Sequence, residues 1–479
     1  MTPSQNKLVK KRIAIIGGGI LGLTTAFYLS QQNENLEIDI LEKSPDVGGL
    51  AGVNNLDNFT DGPADSRKSG SKDSPATSSP DGSSVRHEYW PYLEKYYHHF
   101  FASDSALKEL LKDLGIHDKL KWHDAKMGLY INNQLIDFST ALDILKFKPL
   151  GFLNRIRLGM VSLFLQKWPF EGGFAKVSAI DWCNRYFGKT VTSIMWQPLL
   201  QSKFAGFSNQ ISMLWLHSRI KDRSSSRPGP FSAEKLGYID GGLYTLINTL
   251  VKKLATKGVK IFTNVSIMGI ESKNTTHHLK FQHKNQQIKK GYDIVIATIP
   301  PKDFIRNFAP PAKYSNELMQ LKFLGAICIT IILKKKFMPY YWLTINDPKE
   351  PFVAVIEHTN YISASHYRNK NILYLGKYLD PNDPFFTLEE SKMQKIIEIF
   401  LHKINPKFNS SWIEFLSIQK SNSAQHIVNT GYQPTQPGTG KVGLYYAHFS
   451  QIYPHDRGIN YAVAQGFYLS KLISTQWKS

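Results

Sequence analysis

The chain is short of cysteine, of acid relative to base, and of long apolar runs. Its 479 residues include two cysteines, Cys183 and Cys328. Two cysteines cannot build a disulfide framework, so a reducing, cytoplasmic setting is expected. Neither lies in a Cys-x-x-Cys pair or a histidine cluster, and no metal site is readable. No run of about 18 uncharged apolar residues occurs, so no transmembrane helix is expected. The first apolar run, Ile13 to Ile16, is too short for a secretory signal and leads directly into glycines.

The shortage of acid is the strongest compositional bias. Against 58 Lys and Arg stand 38 Asp and Glu, a formal net charge of +20. Such an excess suits an acidic surface or ligand. The basic residues are scattered, and no basic-aromatic module or nucleic-acid motif occurs, so nucleic acid is not an expected partner. An anionic membrane surface and an acidic small molecule stay open. Hydrophobic residues make up 42% and charged residues 20%, as in a globular protein with a sizeable core. At roughly 150 residues per domain, the length suits two or three domains.

Residues 12–16 read as a buried parallel strand. Gly17-Gly18-Gly19-Ile20-Leu21-Gly22 follows, then a helix to Gln32, then a second strand from Leu36 to Glu42. This is G-x-G-x-x-G between strand and helix. Gly17 permits the tight turn, Gly19 lets backbone approach a pyrophosphate, and Gly22 lets helix and strand pack closely. The diphosphate then sits on unpaired N–H groups at the positive end of the helix. Glu42, 20 residues beyond Gly22, stands where an acid should bond an adenosine ribose. A second pair, Gly48-Gly49, follows closely. An NAD-only domain does not need it, so the balance moves to FAD.

Thr60 to Ser84 holds eight serines and no aromatic. It cannot bury enough apolar surface to offset ordering entropy, and reads as a mobile insertion. The hairpin 127–138 is expected to turn at Asn132-Asn133. Residues 103–117 are expected to be helical, residues 321–420 to alternate strands and helices, and Ser224 to Pro230 to be a linker. Further strands are expected at Val259 to Val265, Asp293 to Thr298 and Val442 to Tyr446. Tyr453 to Val463 opens a last helix. Its N-terminus would favour negative charge on a reduced flavin ring, with Gly458 allowing close approach and Asp456 able to cap.

These stretches resemble the FAD-dependent amine oxidase and protoporphyrinogen oxidase superfamily, on a bacterial branch. The likeness rests on Gly17 to Gly22 with Glu42, Gly48-Gly49, Glu94 to Phe101, Gly237 to Gly242, Asp293 to Pro300, Glu357 to Asn360 and Asp456 to Val463. It implies an α/β fold: a Rossmann-type FAD-binding domain of discontinuous segments, with an inserted α+β substrate domain. The expected FAD segments are 1–60, 232–312 and 421–479, and the expected substrate segments are 86–231 and 313–420. The resemblance implies that Val265 contacts adenine through its backbone, and that Gly458, Asn460 and Ala462 line the flavin's pyrimidine side. Ile20, Leu21, Lys43 and Leu50 complete the expected cofactor contacts. Members of the family use a lysine that holds a water near the flavin, and Lys322 lies in the corresponding part of the chain. No cysteine falls near the ring, so FAD is expected to be non-covalent.

Flavin dehydrogenation also calls for a base or hydrogen-bonding anchor. His98 and His99 are candidates; in an aromatic helix, one ring of such a pair faces in and one faces out. Glu357 and His358, in a polar stretch at a strand end, suit either a cleft or a stabilised turn. Tyr341, Trp342 and Tyr453 could add an aromatic wall. Residues 142–170 mix aromatic, aliphatic and basic residues. They suit peripheral contact with the inner membrane face, a lid over a lipophilic substrate, or a cover for the core.

The expected function is an FAD-dependent oxidase or dehydrogenase. It would take hydride from a C–N or C–C bond of a small, lipophilic molecule; the electron acceptor stays open. The alternatives are a non-redox flavoenzyme such as a mutase or isomerase, a non-catalytic FAD-fold scaffold, and an NAD-dependent dehydrogenase.

Overall fold

A computed structural model describes residues 10–32, 35–59, 89–168, 172–224, 232, 234–273 and 275–476. The 60–84 stretch and linker residues 225–230 lie outside the described residues.

The strand Lys11–Ile16 is the centre of a five-stranded sheet. Its order is Leu444–Tyr446, Ile294–Ala297, Lys11–Ile16, Leu36–Leu41, Lys260–Phe262. All neighbours run parallel, with Ile13 opposite Ile294 on one side and Ile38 on the other. Such a sheet is covered on both faces, so its strands are near-continuous apolar runs. The first helix, Ile20–Gln32, packs on the last, Ile459–Gln476, and on Gly242–Thr256. The first and last helices approach closely at one point. A Cβ on Gly466 would stand 3.0 Å from Thr24 Cβ, so a side chain there would have to push the first helix back by a few tenths of an ångström. A three-stranded antiparallel meander over residues 266–292 lies between two strands of this sheet in the chain.

The second large sheet has seven strands. Their order is Ile413–His426, Phe323–Leu333, Asn371–Leu379, Ala354–Glu357, Trp342–Ile345, Met127–Ile131, Gln134–Asp137. All pairs are antiparallel except Trp342–Ile345 with Met127–Ile131, which is parallel. The hairpin turns at Asn132 and Asn133, both at positive φ. The helices between residues 141 and 224 form a separate core with Ile427, Val428 and Tyr432.

Two expectations change. Residues 321–420 are mostly antiparallel sheet with one long helix, Glu390–Ile404. The apolar run Phe323–Leu333 is buried between two long strand partners, which leaves no room for alternation with helices. Residues 95–99 are not helical either. Phe100 exchanges both backbone hydrogen bonds with Gly237, at 2.9 and 2.8 Å, and that pairing draws the run out.

Candidate active site

The glycine loop is built by exclusion. Gly17 has φ of 108°, and its N–H donates to the Leu41 carbonyl at 2.9 Å. The first intrahelical bond runs from Leu23 N–H to the Gly19 carbonyl. The preceding amides therefore belong to the unpaired first turn, ready for a diphosphate. Glu42 is buried beneath them, accepting from Gly18 N–H at 2.6 Å and Ser44 N–H at 2.8 Å. A carboxylate offers about four acceptor positions, so room is left for a ribose hydroxyl.

The second glycine pair meets the first. Gly48 N–H donates to the Gly18 carbonyl at 2.8 Å, and a Cβ on Gly49 would lie 3.2 Å from Gly19 Cα. Gly49 is exposed, and a Cβ on Gly19 would meet nothing closer than 3.9 Å. The two pairs thus edge an open cradle, the shape an extended dinucleotide requires. Ile20 is buried in the loop, Leu21 and Leu50 are half-buried beside it, and Lys43 is exposed. Val265 N–H is taken by the Glu42 carbonyl at 2.9 Å, which leaves Val265 only its own carbonyl for adenine.

At the start of the last helix, Gly458 is exposed between buried Asp456 and Ile459. It opens the last helix, whose first backbone bond runs from Ala462 N–H to the Gly458 carbonyl. The Asn460 side chain accepts from Leu107 N–H at 3.0 Å, so it ties two helices together. Asp456 does not cap the helix. Its carboxylate is held by Lys203 at 2.6 Å, with Arg219 at 4.0 Å. Burial opposes its charge, but Lys203, Arg219 and Arg457 outweigh burial and hold its pKa at about 2.

Beside Gly458 in the chain, Arg457 and Asp456 reach a wall of polar and aromatic side chains assembled from distant segments. Arg457 donates to Tyr378 Oη at 2.8 Å and to Gln425 Oε1 at 3.2 Å. His99 meets Phe101 at 5.2 Å and Trp342 at 5.8 Å, and Arg219 lies over Phe101. Tyr97 packs edge-on against Trp342. His98 and His99 are crowded by protein yet keep some accessible surface. Burial lowers His98 to about 4 and His99 to about 3, so both imidazoles are neutral.

The remaining candidates make other contacts. Glu357 accepts from Phe337 N–H, Met338 N–H and Asn360 Nδ2, and Asn360 also donates to the Met338 and Tyr340 carbonyls. This is a buried turn rather than a cleft. His358 is buried against Tyr367, their Nε2 and Oη 2.8 Å apart. Lys322 is exposed, its ammonium over Phe207. Tyr341 faces His99, while Tyr453 hydrogen-bonds Ser212.

Sequence reading missed Lys203, Arg219, Tyr378, Gln425 and Arg457. Arg457 alone carried a local signal, its place beside Gly458. Both cysteines are buried and free, and burial pushes the Cys328 thiol up to about 12. Among the described residues, no group of three His, Cys, Asp or Glu is placed to hold a metal.

A parallel sheet, a glycine-rich diphosphate loop with its acid, and a glycine-opened helix beside an aromatic wall define a dinucleotide-binding oxidoreductase of the flavoprotein type. The chain belongs to the flavin-containing amine oxidoreductase family, whose profile matches residues 22–440. The members of that family are flavin-containing oxidoreductases. Over 329 residues it is 23% identical to Staphylococcus aureus coproporphyrinogen III oxidase, covering 62% of this chain. Over 207 residues it is 28% identical to Schizosaccharomyces pombe protoporphyrinogen oxidase, covering 42% of this chain. These matches span 62% and 38% of the relatives' own lengths. The fold is also that of reduced UDP-galactopyranose mutase. The TM-score is 0.69 at 12% identity, over 98% of this chain and 95% of that one.

Proposed function

We propose that the protein holds FAD non-covalently and oxidises a C–N or C–C bond of a lipophilic small molecule. In this reading residues 1–60, 232–312 and 421–479 bind the cofactor. Residues 86–231 and 313–420 shape the substrate side. The observation that carries it is the open cradle between Gly19 and Gly49, with Glu42 beneath it.

FAD, when bound, supplies the hydride acceptor. The chain's residues do the rest. The first-helix amides bind the diphosphate, and Glu42 orients the ribose. The last helix presents its positive end to the ring. Tyr97, Trp342 and Tyr378 exclude water from the substrate side. His98 and His99, both neutral, act there as hydrogen-bonding groups rather than as charged ones. The names of the two relatives make porphyrinogens the first substrates to test, ahead of amines.

The experiment is an absorption spectrum of the purified protein, before and after dithionite, followed by anaerobic mixing with each substrate. Flavin bands that bleach with substrate are expected. A protein that takes up no FAD overturns the reading. Trichloroacetic acid should release the chromophore, and a pellet that stays yellow would show a covalent bond. The likeness to the mutase keeps a second reading open. Flavin that dithionite reduces, that no substrate reduces, and that supports isomerisation only when reduced would establish that one.

A further inference from the structure

The helix Phe152–Lys167 is apolar on two sides. Leu158 and Leu165 point inward and are buried. On its outer side Phe152 is 65% exposed, Leu153 79%, Met160 61%, Leu163 54% and Phe164 49%. At 3.6 residues per turn these five fall within a sector of about 120°. Leu142 and Leu145, on the neighbouring helix Ala141–Lys146, are exposed too. The two helices are in contact, and Arg155 of the second hydrogen-bonds the Leu145 carbonyl. Single exposed apolar residues are ordinary, but a contiguous helical face of them marks an interaction site.

The charge around this face has one sign. Residues 141–168 contain five cations and a single acid, Asp143. That acid is spent inside the fold, accepting from Ser139 and Thr140 N–H at 2.9 and 2.8 Å. Lys146, Lys148 and Lys167 are exposed. Lys167 falls in the middle of the apolar sector, where its stem can lie along the apolar surface and its ammonium can reach out to a headgroup. No helix among the described residues is long and apolar enough to cross a membrane.

We infer that this face rests on an anionic lipid bilayer, with Leu153, Met160 and Phe164 dipping below the headgroups and the lysines meeting lipid phosphate. An apolar helical face flanked by unneutralised cations matches such a surface in both respects. A second copy of the chain would set the same cations against themselves, because a two-fold contact pairs like with like. The inner side of this helix packs on Met213–Ser224, the helix that carries Arg219. One helix layer therefore separates the bilayer from the catalytic wall. The inference does not depend on which substrate is oxidised.

The test is co-sedimentation of the full chain with vesicles, phosphatidylcholine alone against phosphatidylcholine with phosphatidylglycerol. Binding to the anionic vesicles is expected, and it should weaken as about 1 M salt shortens the Debye length to about 3 Å. Leu153→Glu with Phe164→Glu should lower partitioning by at least about tenfold, with circular dichroism and flavin absorbance unchanged. Lys146→Glu with Lys148→Glu, which touches no apolar contact, should lower it as well. Three results overturn the inference. They are no binding to anionic vesicles at low salt, binding by both variants equal to wild type, and a dimer in light scattering that the Leu153/Phe164 variant disperses.

Discussion

A Cβ built on Gly22 would stand 2.1 Å from the carbonyl oxygen of Gly17. The first helix leaves the strand at that distance, so residue 22 can carry no side chain. The obstacle is backbone at the centre of the sheet and has no rotamer to relieve it. Gly22→Ala is expected to cost about 3 kcal/mol, the upper part of the overpacking range. It should also displace the amides that face the diphosphate. Denaturant unfolding and the flavin-to-protein absorbance ratio would both fall. A variant with full flavin content and unchanged stability would show that the helix moves freely.

That part of the molecule was legible because its information is local. Strand, glycines, helix, second strand and acid lie within residues 11–42, and each follows from backbone sterics or an unpaired amide. The polar and aromatic cluster beside Arg457 was not legible, for the opposite reason. Lys203, Arg219, Tyr378, Gln425 and Arg457 come from separate segments, with contacts to residues 456 and 457 that span 32 to 253 positions of the chain, and meet only through the fold. Local propensity also misled. The aromatic run before Phe100 suits a helix, but it is irregular and ends in a bridge from Phe100 to Gly237. Asn460 and Asp456 sit where a flavin helix should begin, yet their side chains are spent on Leu107 and Lys203.

The Lys203–Asp456 pair ties the inserted helices to the last helix, with Asp456 buried. Its carboxyl is held at about 2, against an ordinary value of 3.8. A depressed carboxyl contributes stability above its unfolded pKa and loses it as pH falls through the folded one. The window therefore runs from about pH 4 down to 2, and about 2 kcal/mol is at stake. Lys203→Met should cost about 3 kcal/mol at neutral pH, the low end for breaking a buried pair, because Arg219 remains nearby. Urea unfolding of the variant at pH 7 measures this, and a change below about 0.5 kcal/mol would contradict it.

Glu357 gives the opposite sign. Burial pushes its carboxyl from 4.5 up to about 7, against the opposing hydrogen bonds from Phe337 and Met338 N–H. A raised carboxyl contributes stability below its unfolded pKa and loses it as pH rises through the folded one. Its contribution should therefore decline between about pH 4.5 and 7. Glu357→Gln keeps one oxygen acceptor where two N–H groups need one each, a cost of about 1–3 kcal/mol. The wild-type advantage over the variant should be larger at pH 5 than at pH 8. The rate of flavin reduction, corrected for folded fraction, should not change. Loss of reduction in a fully folded variant would return Glu357 to the catalytic candidates.

His99 is the sharper question, because its ring lines the wall and its Nδ1 lies 3.0 Å from Tyr341 Oη. Burial pushes the Tyr341 phenol far above its ordinary value, so the phenol keeps its proton and can donate it to Nδ1. The imidazole then carries its own proton on Nε2. In that state the remaining ring nitrogen of His99 is a donor with no free lone pair. A proton acceptor would need the reverse arrangement, and burial at about 3 also disfavours the charged ring. His99 should therefore anchor substrate or cofactor without taking a proton. Removing a general base costs about 10²–10⁴ in rate. His99→Asn should cost less than about 10² in flavin reduction and leave the pH profile between about pH 6 and 8 unchanged in shape. Stopped-flow reduction across that range decides it. A larger loss, with disappearance of an inflection near neutral pH, would mean that Tyr341 accepts from Nδ1 and that His99 is the base.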